Sequence, residues 1–266
     1  RGLGDVYKRQ QIESVRGVHE VVIYRIENGS EVEALRETKN GEHTLNYAPE
    51  IDFTEATSKL KVVVSDGREG KEAIGYMKAY VNMDVATLNV GSQPLANNAH
   101  VKYPDAFGMV SLNDLKTYSV DYAIANEVNA KNVDFKFYCF GASGSPRLYS
   151  MDNTGKDGEF SGSTGKLSAI KVKNLTRFAI LSNFDYENAT VASISSEILS
   201  SSIAQSLLDP IAVGNVIAFR TGGSSAAGGG RIGVMKVINI TEPKELVSNN
   251  ATARVMTVEI KFSKKK

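Results

Sequence analysis

Cys139 is the single cysteine in the chain, and a thiol nucleophile would need a histidine to deprotonate it. The three histidines, His19, His43 and His100, are scattered and share no spacing that makes a catalytic dyad or a pair of metal ligands. Each is expected on the surface or on an edge strand. Cys139 lies in the β-like run Val133-Asp134-Phe135-Lys136-Phe137-Tyr138-Cys139-Phe140, so a small buried core residue is expected there and not a reactive thiol. A lone cysteine also excludes an internal disulfide and a multi-cysteine metal cluster.

Oxygen chemistry has more candidates. Asp152, Asn153, Asp157 and Glu159 offer the hard ligands that calcium takes, in a stretch (141–166) rich in Gly, Ser, Asp and Asn. Their spacing lacks the alternation of an EF-hand loop, so a solvated acidic turn is expected, and calcium at Asp152, Asp157 and Glu159 stays an open alternative. The glycine-rich loop 222–230 lacks the Lys-Ser/Thr of a P-loop and runs into β-branched residues, so no helix N-terminus follows it to hold phosphate. A hairpin loop is the expectation. Glycoside hydrolysis would need two carboxylates within roughly 5–10 Å, and nothing in the sequence singles out a pair. Five Asn-x-Ser/Thr triplets, at Asn28, Asn174, Asn188, Asn239 and Asn250, would matter in a eukaryotic secreted protein and are chance in an Asn-rich bacterial one. No catalytic, cofactor-binding or metal residue is therefore assigned. A sugar platform would draw on Tyr103, Phe107, Tyr118, Tyr122, Tyr149 and Phe160, although the chain has no tryptophan, the commonest stacking side chain.

The elements that must position these residues follow from pattern. At 266 residues the chain is long for one domain and short for three, and with 42% hydrophobic and 23% charged residues each part can bury a core. The formal net charge of +1 gives no one-signed field, so nucleic acid is not an expected partner. No apolar run reaches the roughly 20 residues of a membrane-spanning helix. Over 11–82 strand-like runs alternate with the turn signals Asn28-Gly29, Asn40-Gly41 and Asp66-Gly67, which is the rhythm of a β-sandwich. Residues 83–266 predict a larger β-rich domain. Its strands are expected over 86–90, 107–112, 133–140, 178–181, 216–220, 232–240 and 253–262. In the last of these Met256, Val258, Ile260 and Phe262 form one face, and Thr257, Glu259 and Lys261 form a wet one. Ser119 can cap a short helix through Asn126. The three- and four-residue apolar steps over 189–208 predict a second helix, ended by Pro210. The fold class expected is mainly β, all-β to α+β: an immunoglobulin-like β-sandwich (11–82), then a β-rich domain (83–266) with one or two helices.

Two resemblances bear on origin. Asp5-Val6-Tyr7-Lys8-Arg9-Gln10 resembles the translation of an adapter used to prepare sequencing libraries, so residues 1–10 are expected to be a non-native tail and the natural chain to begin upstream of Gln11. The stretch 60–81, with Ser65-Asp66 and Gly70 at its turn, resembles the closing hairpin of bacterial immunoglobulin-like repeats. Further on, Gly214-Asn215-Val216-Ile217-Ala218-Phe219-Arg220-Thr221, Gly233-Val234-Met235-Lys236-Val237 and Val258-Glu259-Ile260-Lys261 resemble the C-terminal half of uncharacterised two-domain surface lipoproteins of gut-type Gram-negative anaerobes. The loop 222–230 is longer and richer in glycine than that group leads one to expect. The resemblance implies a secreted or outer-membrane-anchored protein, held to the membrane only by a lipid anchor upstream of this sequence. The expected function is non-catalytic surface binding or adhesion, with a glycan or matrix protein as partner and no cofactor. A hydrolase, the accessory end of a larger secreted enzyme, and a structural surface component are the alternatives.

Overall fold

The computed structural model of the chain describes residues 10–265, so residues 1–9 of the expected tail lie outside the described residues. Two compact units make it up: the residues up to Met83 together with Glu187–Ser193, and Asp84–Tyr186 together with Ile194–Lys266. Of the described residues 44% are strand and 13% helical, so the protein is mainly β.

The first unit holds one antiparallel sheet of β1 (Gln10–Glu27), β2 (Ser30–Tyr47), β3 (Thr57–Ser65) and β4 (Glu72–Lys78), in the order β2-β1-β3-β4. Asn28 and Gly29, both at positive φ, make the tight turn between β1 and β2 that their sequence predicts. Asn40-Gly41 does something else. It lies inside β2, and Gly41 (φ 82°) faces Gly17 (φ 87°), where the pairing register shifts on either side of Val18. A Cβ on Gly17 would come within 2.2 Å of the Gly41 carbonyl oxygen, so the two glycines make a bulge that bends a continuous ribbon. A turn signal read as a strand end was thus a bulge, and fewer, longer strands result. Among the described residues this unit has a single four-stranded sheet and not the two facing sheets of the expected immunoglobulin-like sandwich. Its apolar cluster gathers Val18, Val21, Ile23, Tyr47, Ile51, Leu60 and Val62.

Two facing sheets appear in the second unit. Its strands are β5 (Met83–Gly91), β6 (Met109–Ser111), β7 (Lys116–Tyr118), β8 (Phe135–Phe140), β9 (Ser145–Ser150), β10 (Arg177–Leu181), β11 (Leu207–Leu208), β12 (Val216–Arg220), β13 (Ile232–Ile240) and β14 (Val255–Ser263). They form five-stranded sheets in the orders β10-β12-β13-β14-β5 and β11-β9-β8-β6-β7. Phe135, Phe137, Cys139 and Leu148 from one sheet meet Phe178, Phe219, Met235, Val258 and Ile260 from the other in a shared core. The opposite face of β8 is covered as well. There Tyr138 packs with Tyr149, Phe160, Leu167 and Ile170, and with Val120, Ala123 and Ala130 of helices α1 (Val120–Ala125) and α2 (Glu127–Lys131). A strand buried on both sides need not alternate, and 133–140 is mostly apolar, with Asp134 and Lys136 as buried charged residues on the Tyr138 face. Ser119 caps α1 as expected, its side chain accepting from the Tyr122 N–H.

Three expectations fail locally. The stretch 141–166 is not all loop, because β9 crosses it and pairs with β8 along its full length. The helix expected over 189–208 is only α3 (Val191–Glu197), after which a 3-10 turn at Ser200–Ser202 leads into β11. The serines that thin out its helix propensity bond locally instead, as Ser202 Oγ does to the Leu199 carbonyl at 2.6 Å. Ile194, Ile198, Ile203 and Leu208 are still buried, so the apolar period reported burial without helix. Finally, Lys261 is fully buried: its ammonium donates to the Tyr186 carbonyl at 2.6 Å and lies 4.4 Å from the centre of the Tyr186 ring, so the expected wet face of β14 is half-buried at Thr257 and Glu259 and closed at Lys261.

Candidate functional site

The residues with the most polar chemistry are mostly engaged with one another. Arg177 holds Asp152 through two hydrogen bonds of 2.9 and 2.8 Å, which, with Ser150, keep the carboxyl below its ordinary range although burial pushes it up. Asp157 is buried and accepts from Lys136 Nζ at 2.7 Å and Lys173 Nζ at 3.1 Å. Burial pushes the Lys136 ammonium down, opposed by Asp157. Glu159 accepts from the Tyr138 hydroxyl and, at 2.8 Å, from Lys156. The acids that might have held calcium are therefore occupied by protein cations and a phenol, and Asp157 is no part of a solvated turn. Among the described residues no three His, Cys, Asp or Glu side chains converge as a metal site would need.

Other carboxylates are engaged in the same way. Asp121 accepts from the Ser163 hydroxyl, from the Ser163 and Thr164 backbone N–H groups at 3.0 and 3.1 Å, and from Asn97 Nδ2 at 3.0 Å, which together hold it well below the usual carboxylate range. Asp114 takes the Tyr118 hydroxyl at 2.6 Å and Asn132 Nδ2 at 2.5 Å. Asp134 is completely buried, accepting from Leu112 N–H at 2.8 Å and Ser225 Oγ at 2.6 Å, and burial raises it to about 6. It ties the glycine-rich loop to β8, and the loop joins β12 to β13 as a hairpin, as expected. Cys139 is buried in the sandwich core, its thiol pushed up to about 12 by desolvation, which leaves no thiolate for chemistry.

The expected aromatic platform is not assembled. Tyr149 and Phe160 belong to the second core, 4% and 0% exposed. Tyr118 and Tyr122 stack on each other at 4.0 Å, with Asn132 Nδ2 also donating to the Tyr122 hydroxyl at 3.0 Å. Tyr103 packs beside Ala106, Leu246 and Val255. Asn174 of the second Asn-x-Ser/Thr triplet is buried, donating to the Lys131 and Val133 carbonyls at 2.8 Å each, so a glycan could not be attached there. His19 and His43 are exposed and His100 half-buried.

Two concavities in the second unit keep polar groups unengaged. One, of about 420 Å³, lies by the edge strands β5 and β7 and is lined by Thr87, Leu88, Asn89, Asp105, Phe107, Lys116 and Thr117. Its edge is partly closed by the chain itself, since the Thr117 hydroxyl accepts from the Phe107 N–H at 3.2 Å and donates to the Asp105 carbonyl. The other, of about 590 Å³, lies on the outer edge of β10. Ala179, Ile180 and Leu181 supply its floor, Ser182, Asn183 and Phe184 continue it, and Glu197, Ile198, Ser202 and Gln205 close the far side. Asn183, Glu197 and the Gln205 amide are exposed and have no side-chain partner among the described residues. Sequence reasoning missed this site, because its residues meet only through the return of 197–205 to β10. A concave surface with an aliphatic floor, one phenyl ring and three free polar ends can hold a ligand and orient it. The chain matches no family model, no curated protein and no solved structure. Of these two concavities the β10 pocket is the larger.

Proposed function

We propose that the chain is a non-catalytic binding module of a bacterial surface protein, anchored by lipid, with the β10 pocket as its recognition site. The observation that carries the reading is the contrast in hydrogen bonding. The candidate acids of the chain are engaged by protein partners, whereas Asn183, Glu197 and Gln205 present unengaged groups around a cavity of ligand size. Glu197 has no second carboxylate, histidine or cysteine beside it on that lining to act as base, nucleophile or acid. The aliphatic floor and the polar rim supply complementarity and orientation, which is what binding requires. The expected outcome of presenting the full chain to glycan arrays, matrix proteins and generic hydrolase substrates is saturable binding without turnover, weakened severalfold by Asn183→Ala or Glu197→Gln. Turnover abolished by Glu197→Gln would overturn the reading in favour of a hydrolase.

A further inference from the structure

In an antiparallel pair, residues alternate between turning both backbone groups toward the neighbour and turning both away. Phe178 shows which way β10 faces: its N–H donates to the Gln205 carbonyl at 2.8 Å and its carbonyl accepts from Gln205 N–H at 3.1 Å, on the side away from β12. Two residues on, Ile180 turns its N–H and C=O the same way, and among the described residues nothing meets them. The strand that should continue the pairing leaves instead, because Ile203 is drawn into the interior and Ser200–Ser202 coil into a 3-10 turn. A ladder is thus begun at Gln205 and interrupted at Ile180, and the β10 pocket lies at the interruption. Ile180 is 46% exposed, a large apolar side chain left beside an unpaired backbone.

We propose that the occupant of this pocket is an extended peptide segment of a partner protein, added antiparallel to β10 as one more strand. Its backbone completes the Ile180 pair, an apolar side chain covers Ile180 and Phe184, and a lysine or arginine meets Glu197, the sole charged residue of the lining. The inference rests on the binding reading and names its partner class.

The probe is a panel of capped octapeptides, alternating valine or isoleucine with polar residues and carrying one lysine at each position in turn, titrated against the full chain. Binding is expected for registers that bring lysine to Glu197, and Glu197→Lys should abolish that preference. Ile180→Pro removes the outward N–H without removing any bond to β12, and should weaken binding about tenfold or more, whereas Ile180→Val should leave it within about twofold. Hydrogen exchange on the unsubstituted chain supplies a measurement independent of folding in the variants: the Ile180 amide should exchange fast alone and slowly when saturated with peptide. Peptide binding that leaves this amide fast and ignores Ile180→Pro overturns strand addition while the binding reading survives. Binding of glycans with no octapeptide bound overturns the partner class alone, and turnover overturns both.

Discussion

At the scale of single residues, the chain places ionisable groups where burial and not solvent sets their behaviour. Asp134 is the clearest case, fully buried, with a carboxyl at about 6 against an ordinary value of 3.8. A carboxyl raised on folding binds its proton more tightly in the folded state, so its contribution is present below about pH 4 and lost as pH rises through about 6. Protonation lets one carboxyl oxygen donate to Ser225 Oγ while the other still accepts from Leu112 N–H, and asparagine offers the same donor and acceptor, losing only the long 3.4 Å bond from Asn174 Nδ2. Asp134→Asn is therefore expected to match the native chain near pH 4 and to exceed it by about 3 kcal/mol near pH 7, two pH units at about 1.4 kcal/mol each. Urea unfolding of both chains at the two pH values measures it, and parallel behaviour would show that the carboxyl is not desolvated. Nothing in the one-letter code separates Asp134 from an exposed aspartate except its place in an apolar run. The same run holds Lys136, which could have been recognised as buried on the same ground.

At the scale of elements, the sequence pattern is decisive where one rule acts and ambiguous where two compete. Val133 to Phe140 is buried on both faces because two cores flank it, with Asp134 and Lys136 buried on the same face as Tyr138, and its central position was legible. Ser119 and the Asn28-Gly29 turn were legible from their own chemistry. Asn40-Gly41 was not, since positive φ serves a bulge as readily as a turn, and only the opposing Gly17 decides which. The candidate site was illegible for a related reason: it depends on a strand that departs at Ile203, and departure leaves no motif. The bulge is open to test. Gly17→Ala puts a methyl into the Gly41 carbonyl at a φ that L-residues rarely adopt, so it should destabilise the first unit by about 1–3 kcal/mol. Amide exchange in β1 and β2 should rise while β8 and β12 stay protected. Unchanged exchange beside the bulge would mean that the ribbon straightens at no cost.

At the scale of the whole molecule, each of the two units is built from two stretches of chain. Both sheets of the sandwich and both of its cores come from Asp84–Tyr186 and Ile194–Lys266, so the second unit holds cores of its own. Between those stretches, Glu187–Ser193 belongs to the first unit, where Glu187 pairs with Lys78 at 2.8 Å and the Ala192 N–H donates to the Glu55 carbonyl at 3.3 Å. A chain of residues 84–266 should therefore keep the sandwich. It is expected to unfold in urea as one cooperative transition, with 187–193 the first place a protease cuts. Cys139 makes the outcome readable, because its thiol lies in the core between the two sheets and cannot meet a reagent until they part. Thiol labelling should follow the unfolding transition in the shortened chain as it does in the full one. Immediate labelling in native buffer would show that the sandwich needs residues before Asp84 to close.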